Sequence, residues 1–152
     1  VSGEELREEE RDGYILETLR YDLNGLEPVP GLVARPKGLT GRAPGVVFCH
    51  SHGGGYTIGK REFVEGRSYL QPMPYAKALT DQGYVAICID TWVFGERSHT
   101  SELDMFKAML LKGQVLWGMM VYDSLRAVDV FLQRPDVAPR RLDTLGMSMG
   151  ST

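Results

Sequence analysis

Over residues 14–23 the chain alternates, with Ile15, Leu19, Tyr21 and Leu23 at period two on one face and Glu17 the one polar member of the series. A second apolar run, Leu32-Val33-Ala34, follows the turn signal Asn24-Gly25, so the two runs predict an antiparallel hairpin at one edge of a sheet. The pattern then changes. Residues 45–50 and 84–90 are apolar runs without alternation, as expected of strands buried on both faces in a parallel sheet. Between them, residues 51–68 are rich in glycine and charge and are expected to be a long loop, and residues 74–82 predict a short helix that opens on Pro74 and stops at Gly83. After a loop over 91–100, Ser101 with Asp104 forms a capping box, opening a helical stretch that Gly113 interrupts. Residues 114–134 have a helical period, and Trp117, Val121, Leu125, Val128 and Leu132 are expected to face the core. Pro135 stops that helix, and residues 142–145 predict a third parallel strand. The order predicts an α/β fold: a mostly parallel sheet with an N-terminal antiparallel hairpin and helices on both faces, incomplete after its last strand.

Composition narrows the function classes. A chain of 152 residues makes one domain, and about 70% of the unfolded surface is buried at this size. A net charge of −3 with mixed signs gives no footprint for nucleic acid or an anionic membrane. The exception is the acidic start, Glu4, Glu5, Glu8, Glu9 and Glu10, which predicts a solvated charged segment over residues 1–13. No apolar run reaches bilayer length and no basic-then-apolar leader is present, so the expectation is a cytoplasmic protein without a membrane partner. Cys49 and Cys88 lie inside apolar runs and are expected to be buried thiols rather than a disulfide.

The chemistry is concentrated after the three parallel strands. The last carries Gly146-Met147-Ser148-Met149-Gly150, a Gly-x-Ser-x-Gly sequence at a strand-to-helix turn. Such a turn lifts the serine hydroxyl clear of the sheet, tolerates only glycine at its flanks, and aims the N–H of Met149 at a substrate oxygen. The first strand is followed by His50-Ser51-His52-Gly53-Gly54-Gly55 and the second by Asp90-Thr91-Trp92-Val93-Phe94-Gly95-Glu96-Arg97. Residues 54–60 also match most of a phosphate-binding loop, but Arg61 stands where a magnesium-ligating Ser or Thr is needed. His50 and His52 are spaced to share one side of an extended backbone, yet no further metal ligands accompany them, so neither metal nor cofactor is expected. Asp90, Glu96 and Arg97 are expected to be structural, the last two as a local ion pair.

These three stretches, in this order and at these strand ends, make the chain resemble the α/β-hydrolase fold, and within it the esterases related to dienelactone hydrolase and the acetyl xylan esterases. The resemblance implies that residues 14–152 are the N-terminal half of a single α/β-hydrolase domain. It implies Ser148 as a nucleophile attacking a small-molecule carboxylic ester through an acyl-enzyme, and an oxyanion hole from Gly53 or Gly54 together with Met149. His52, Tyr56, Trp92 and Phe94 sit on loops at the strand ends, where they are candidates for lining the substrate pocket. The departure is large. The family's acid and histidine follow its serine, whereas all three histidines here precede Ser148, so the base and acid are expected from a companion C-terminal half, as a second chain or as further sequence. The alternative is a non-catalytic half-domain acting as a binding or structural module; peptidase, thioesterase and lactonase chemistry would use the same parts.

Overall fold

A computed structural model describes residues 2–151. The alternating run becomes β2 (Tyr14–Asp22), paired antiparallel with β3 (Val29–Pro36), as the hairpin expectation requires. The hairpin is not at the edge, however. The acidic start forms a further strand, β1 (Ser2–Glu10), antiparallel to β2 with a register shift between Glu5 and Arg7. One side of its backbone pairs with β2 while its side chains stay almost wholly in solvent, where Glu8 pairs with Arg35 at 2.8 Å and Glu10 with Lys37. Glu17, the polar interruption in the apolar face of β2, is buried but doubly paired: Arg35 Nε donates to it at 2.8 Å, and Arg134 grips both its oxygens at 2.6 and 2.9 Å.

The continuous apolar runs become β4 (Ala43–Cys49) and β5 (Val85–Ile89), and the last strand is β6 (Val137–Gly146). The sheet order is β1-β2-β3-β5-β4-β6. Parallel pairing is confined to β5, β4 and β6, the half that carries the chemistry, while β3 joins β5 antiparallel. Both faces of the central strands are covered, while β1 and most of β6 stay exposed. Helix α4 (Leu116–Phe131) packs Ala127 and Phe131 on one side against Val33, Val47 and Ile87. On the other side α1 (Arg61–Glu65) and α2 (Tyr75–Asp81) bring Phe63 and Ala76 against Val46, Phe48 and Ala86.

Two expectations about helices need correction. Residues 51–68 are not all loop: α1 forms because Phe63, fully buried 5.5 Å from the Phe48 ring, anchors a turn that local propensity alone would not hold. In α4 the period is helical as expected, and Val128 and Leu132 of the expected stripe do pack against the core, but toward the start of the helix the phase is wrong. Leu116, Met120, Asp123, Ala127 and Phe131 are buried, whereas Trp117, Val121 and Leu125 of the expected core stripe are 40%, 43% and 54% exposed. Half of the expected capping box is present: Ser101 Oγ accepts the N–H of Asp104 at 3.1 Å and opens α3 (Glu102–Leu111), while the Asp104 carboxylate takes the Ser101 hydroxyl at 2.7 Å; Gly113, at φ +70°, separates α3 from α4. Among the described residues no helix is long and apolar enough to cross a membrane.

Glu96 and Arg97 do not form the expected local pair. Lys60 takes Glu96 and the buried Asp90, whose carboxylate lies 2.8 Å from Nζ, so the lysine of the phosphate-loop-like sequence is committed to the fold. Burial alone would lower the Lys60 pKa; the Asp90 charge and hydrogen bond outweigh it and raise it. Arg97, almost fully buried, donates to Glu27 at 2.6 Å, to the Asp90 carbonyl at 3.0 Å and to Asp123 of α4 at 2.8 Å, and lies 4.2 Å from the Trp92 ring centroid.

Candidate active site

Strand β6 runs parallel to β4, with Phe48 opposite Leu145 and Cys49 opposite Gly146, and ends in a 3-10 turn over Ser148–Ser151. Ser148 has φ +57°, a left-handed conformation that costs a residue with a side chain about 1 kcal/mol or more. The reason for its two flanking glycines is direct. A Cβ on Gly146 would stand 2.1 Å from the Gly150 carbonyl oxygen, and one on Gly150 would stand 2.1 Å from that of Cys49. Only with both bare can the turn fold back onto the ends of β6 and β4, leaving Ser148 exposed at the apex. The turn is closed by the Gly150 N–H to Met147 at 3.0 Å and by the Ser151 hydroxyl to the Ser148 carbonyl at 2.8 Å.

The segment that leaves β4 begins beside this turn. His50 is buried, with Nδ1 3.1 Å from the Ser51 carbonyl and Nε2 at 3.3 and 3.1 Å from the N–H and hydroxyl of Thr91. A carbonyl only accepts, so Nδ1 carries the proton and Nε2 takes the Thr91 donors; the neutral ring ties the end of β4 to that of β5. Burial lowers the His50 pKa. Below its ordinary value of 6.5 the unfolded chain therefore binds a proton that the native ring resists, and stability present at higher pH is lost as pH falls. Urea unfolding midpoints should drop between about pH 7 and pH 5 more steeply for the parent than for His50→Asn. Parallel pH profiles would mean that His50 is not the titrating group.

His52 has partners of its own. Its Nδ1 accepts the Gly54 N–H at 3.1 Å, and its Nε2 lies 3.4 Å from Glu102 and 3.2 Å from the Tyr56 hydroxyl, which itself donates to Glu102 at 2.6 Å. That carboxylate holds the Tyr56 phenol above its ordinary pKa. Each ring nitrogen of His52 is thus engaged, Nδ1 in the loop and Nε2 at Glu102 and Tyr56. His99 lies 3.8 Å from Glu27, in the link between β2 and β3.

Phe94 is the hub of these rings, with His50, His52 and Tyr56 centroids 5.1, 5.3 and 5.1 Å away. Trp92 and Phe94 are buried and pack with Met149, Tyr56 and Met120, so they form the wall behind the turn rather than its exposed lining. The open cavity beside the turn, about 460 Å³, has a different lining. Trp117, Val121 and Leu125 of α4 face Leu145, Gly146 and Met149 across it, with Cys49, His50 and Thr91 at its floor. Cys49 and Cys88 are free thiols whose pKa burial pushes up. Sequence reasoning missed the α4 residues of this cavity by assigning them to the core; the signal, an apolar series at helical spacing, was there but not its direction.

No protein-family model matches this sequence. A protein of Bacillus subtilis (strain 168) named as a hydrolase, YtaP, is 50% identical over 150 residues, covering 99% of this chain and 50% of that protein. The chain thus spans about half the length of the curated relative it matches. Among solved structures, one described as an acetyl xylan esterase from Bacteroides fragilis NCTC 9343 superposes with a TM-score of 0.86 at 17% identity, over 99% of this chain and 43% of that one. The acetyl xylan esterase of Paenibacillus sp. R4 gives 0.68 at 18% identity over 98% of this chain and 46% of that one. A cold-adapted esterase from an Arctic intertidal metagenomic library gives 0.61 at 24% identity, over 95% of this chain and 55% of that one. At these identities the likeness speaks to the fold, which is of the α/β-hydrolase type, and its neighbours are acetyl xylan and dienelactone hydrolase-like esterases.

Proposed function

We propose that this chain is the nucleophile-bearing part of a serine hydrolase that cleaves a small-molecule carboxylic ester. The observation that carries the reading is Ser148 at φ +57° between two glycines that admit no Cβ, at the end of a parallel strand. The hydroxyl adds to the ester carbonyl, the alcohol leaves with a proton, and water then cleaves the acyl-serine, returning the acid and the free hydroxyl. Charge on the tetrahedral oxygen is met by the Met149 N–H at the start of the turn and by an N–H of the 52–55 loop. Gly54 already donates to His52; the Gly53 N–H donates to no group among the described residues, which makes it the better second donor.

The general base and its orienting acid come, in this reading, from a companion segment. Supporting it are the commitments of His50 and His52, the position of β6 at the sheet border, and the apolar face of α4 left beside it. A fluorophosphonate probe tests nucleophile and companion together, since it labels a serine only where base and oxyanion donors are assembled. The full-length protein should be labelled at Ser148, and residues 1–152 by themselves should stay unmodified. A folded full-length protein that resists the probe removes the catalytic reading in favour of a binding module.

A further inference from the structure

The loop between β4 and α1 is held by a polar brace built around the buried Glu62 carboxylate. Glu62 points back from α1, and its carboxylate accepts the Ser51 N–H at 2.8 Å and the Ser51 hydroxyl at 2.5 Å; that hydroxyl also meets the Tyr69 hydroxyl at 2.6 Å. Arg67 closes the arrangement, with Nη1 3.5 Å from Glu62, Nη2 donating to the Gly53 carbonyl at 3.1 Å, and the guanidinium 5.0 Å from the Tyr69 ring centroid. The glycines of the loop divide accordingly. A Cβ on Gly53 would stand 2.2 Å from the Tyr69 hydroxyl and 2.6 Å from Arg67 Nη2, and one on Gly55 would stand 2.9 Å from Nη1, while one on Gly54 would meet nothing within 4 Å. Gly53 and Gly55 are bare so that the brace can reach the backbone.

The brace decides which N–H remains open. The Gly53–Gly54 peptide is gripped at both ends, its carbonyl by Arg67 and its N–H by His52 Nδ1. The His52–Gly53 peptide is fixed by its carbonyl alone, which accepts the Gly55 N–H at 3.1 Å. Since a peptide is planar with its N–H opposite its C=O, anchoring that carbonyl fixes where the Gly53 N–H points. A carboxylate as buried as Glu62 costs several kcal/mol to desolvate, and an apolar side chain of like size would serve packing as well. What the apolar residue could not do is hold Ser51 and, through Arg67, the Gly53 carbonyl.

We propose that Glu62 and Arg67 are positioning residues that hold the Gly53 N–H as an oxyanion donor; this rests on the reading of Ser148 as nucleophile. In the full-length enzyme, Arg67→Ala and Glu62→Gln should lower kcat on p-nitrophenyl acetate about ten- to a hundredfold with KM changed less than about twofold, and Arg67→Lys should recover part of the loss. Amide hydrogen exchange over residues 53–55 should quicken in Arg67→Ala, a measurement that needs no activity and stands if Glu62→Gln fails to fold. A folded Arg67→Ala enzyme with unchanged kcat, or with unchanged exchange at these amides, overturns the proposal. A parent that hydrolyses no ester fails the reading of Ser148 and the catalytic part of this proposal with it, and the exchange data distinguish that case from failure of the brace.

Discussion

Replacing Ser148 by alanine should lower the kcat/KM of the full-length enzyme by roughly four powers of ten while leaving its unfolding midpoint almost unchanged. In the proposed mechanism the first half of that expectation follows from losing the attacking oxygen, for which neither Met147 nor Met149 can substitute. The second follows from position: Ser148 is exposed, and alanine meets the same left-handed backbone cost that serine already bears. Activity and stability should therefore separate, which a substitution acting through the fold would not allow. Near-normal ester turnover by the alanine variant would take Ser148 out of the mechanism.

Asp123→Ala should cost about 3–5 kcal/mol of stability, the range for breaking a buried ion pair from one side. Asp123 is fully buried, accepting from Arg97 at 2.8 Å and from Asn24 at 2.9 Å. Its loss leaves the guanidinium to Glu27, to the Asp90 carbonyl and to the Trp92 face, and Arg97 Nη2 already has no partner among the described residues. The variant would loosen three places at once: the link between β2 and β3, the loop after β5 and the middle of α4. Replacing both partners, Arg97→Met with Asp123→Leu, should restore much of the loss because the two buried charges go together and only the part-exposed Glu27 loses its partner. Urea unfolding of the three proteins measures this directly. A cost under about 1 kcal/mol for Asp123→Ala would mean that water reaches the guanidinium.

The elements read most directly from the sequence were those whose causes are local. Runs such as Val46-Val47-Phe48 have no polar face to misplace, so their strands followed from the residues themselves. The serine turn was legible for the same reason, since Gly146, Ser148 and Gly150 hold its sterics within five residues. What could not be read depended on partners far away in the chain. A strand as rich in glutamate as β1 makes sense only once β2 lies beside it, and α1 only once Phe63 finds Phe48. Helix α4 is apolar on two adjoining stripes, and nothing in its spacing says which one the sheet will choose. The brace was invisible because Glu62 and Arg67 sit in a stretch that reads as charged loop, and their work is done on the backbone of Ser51 and Gly53.

The two borders of the sheet are chemically unlike. Along β1 a newcomer strand from another copy would set carboxylate against carboxylate, from Glu4 to Glu10, so that border repels its own kind. Along β6 it would meet Leu145 and, just behind, the rings and branches of Trp117, Val121 and Leu125. A strand added along β6 would lie next to Ser148 rather than at the remote end. On the proposed reading, the border along which the sheet could be extended is also the one nearest the serine that needs a proton acceptor.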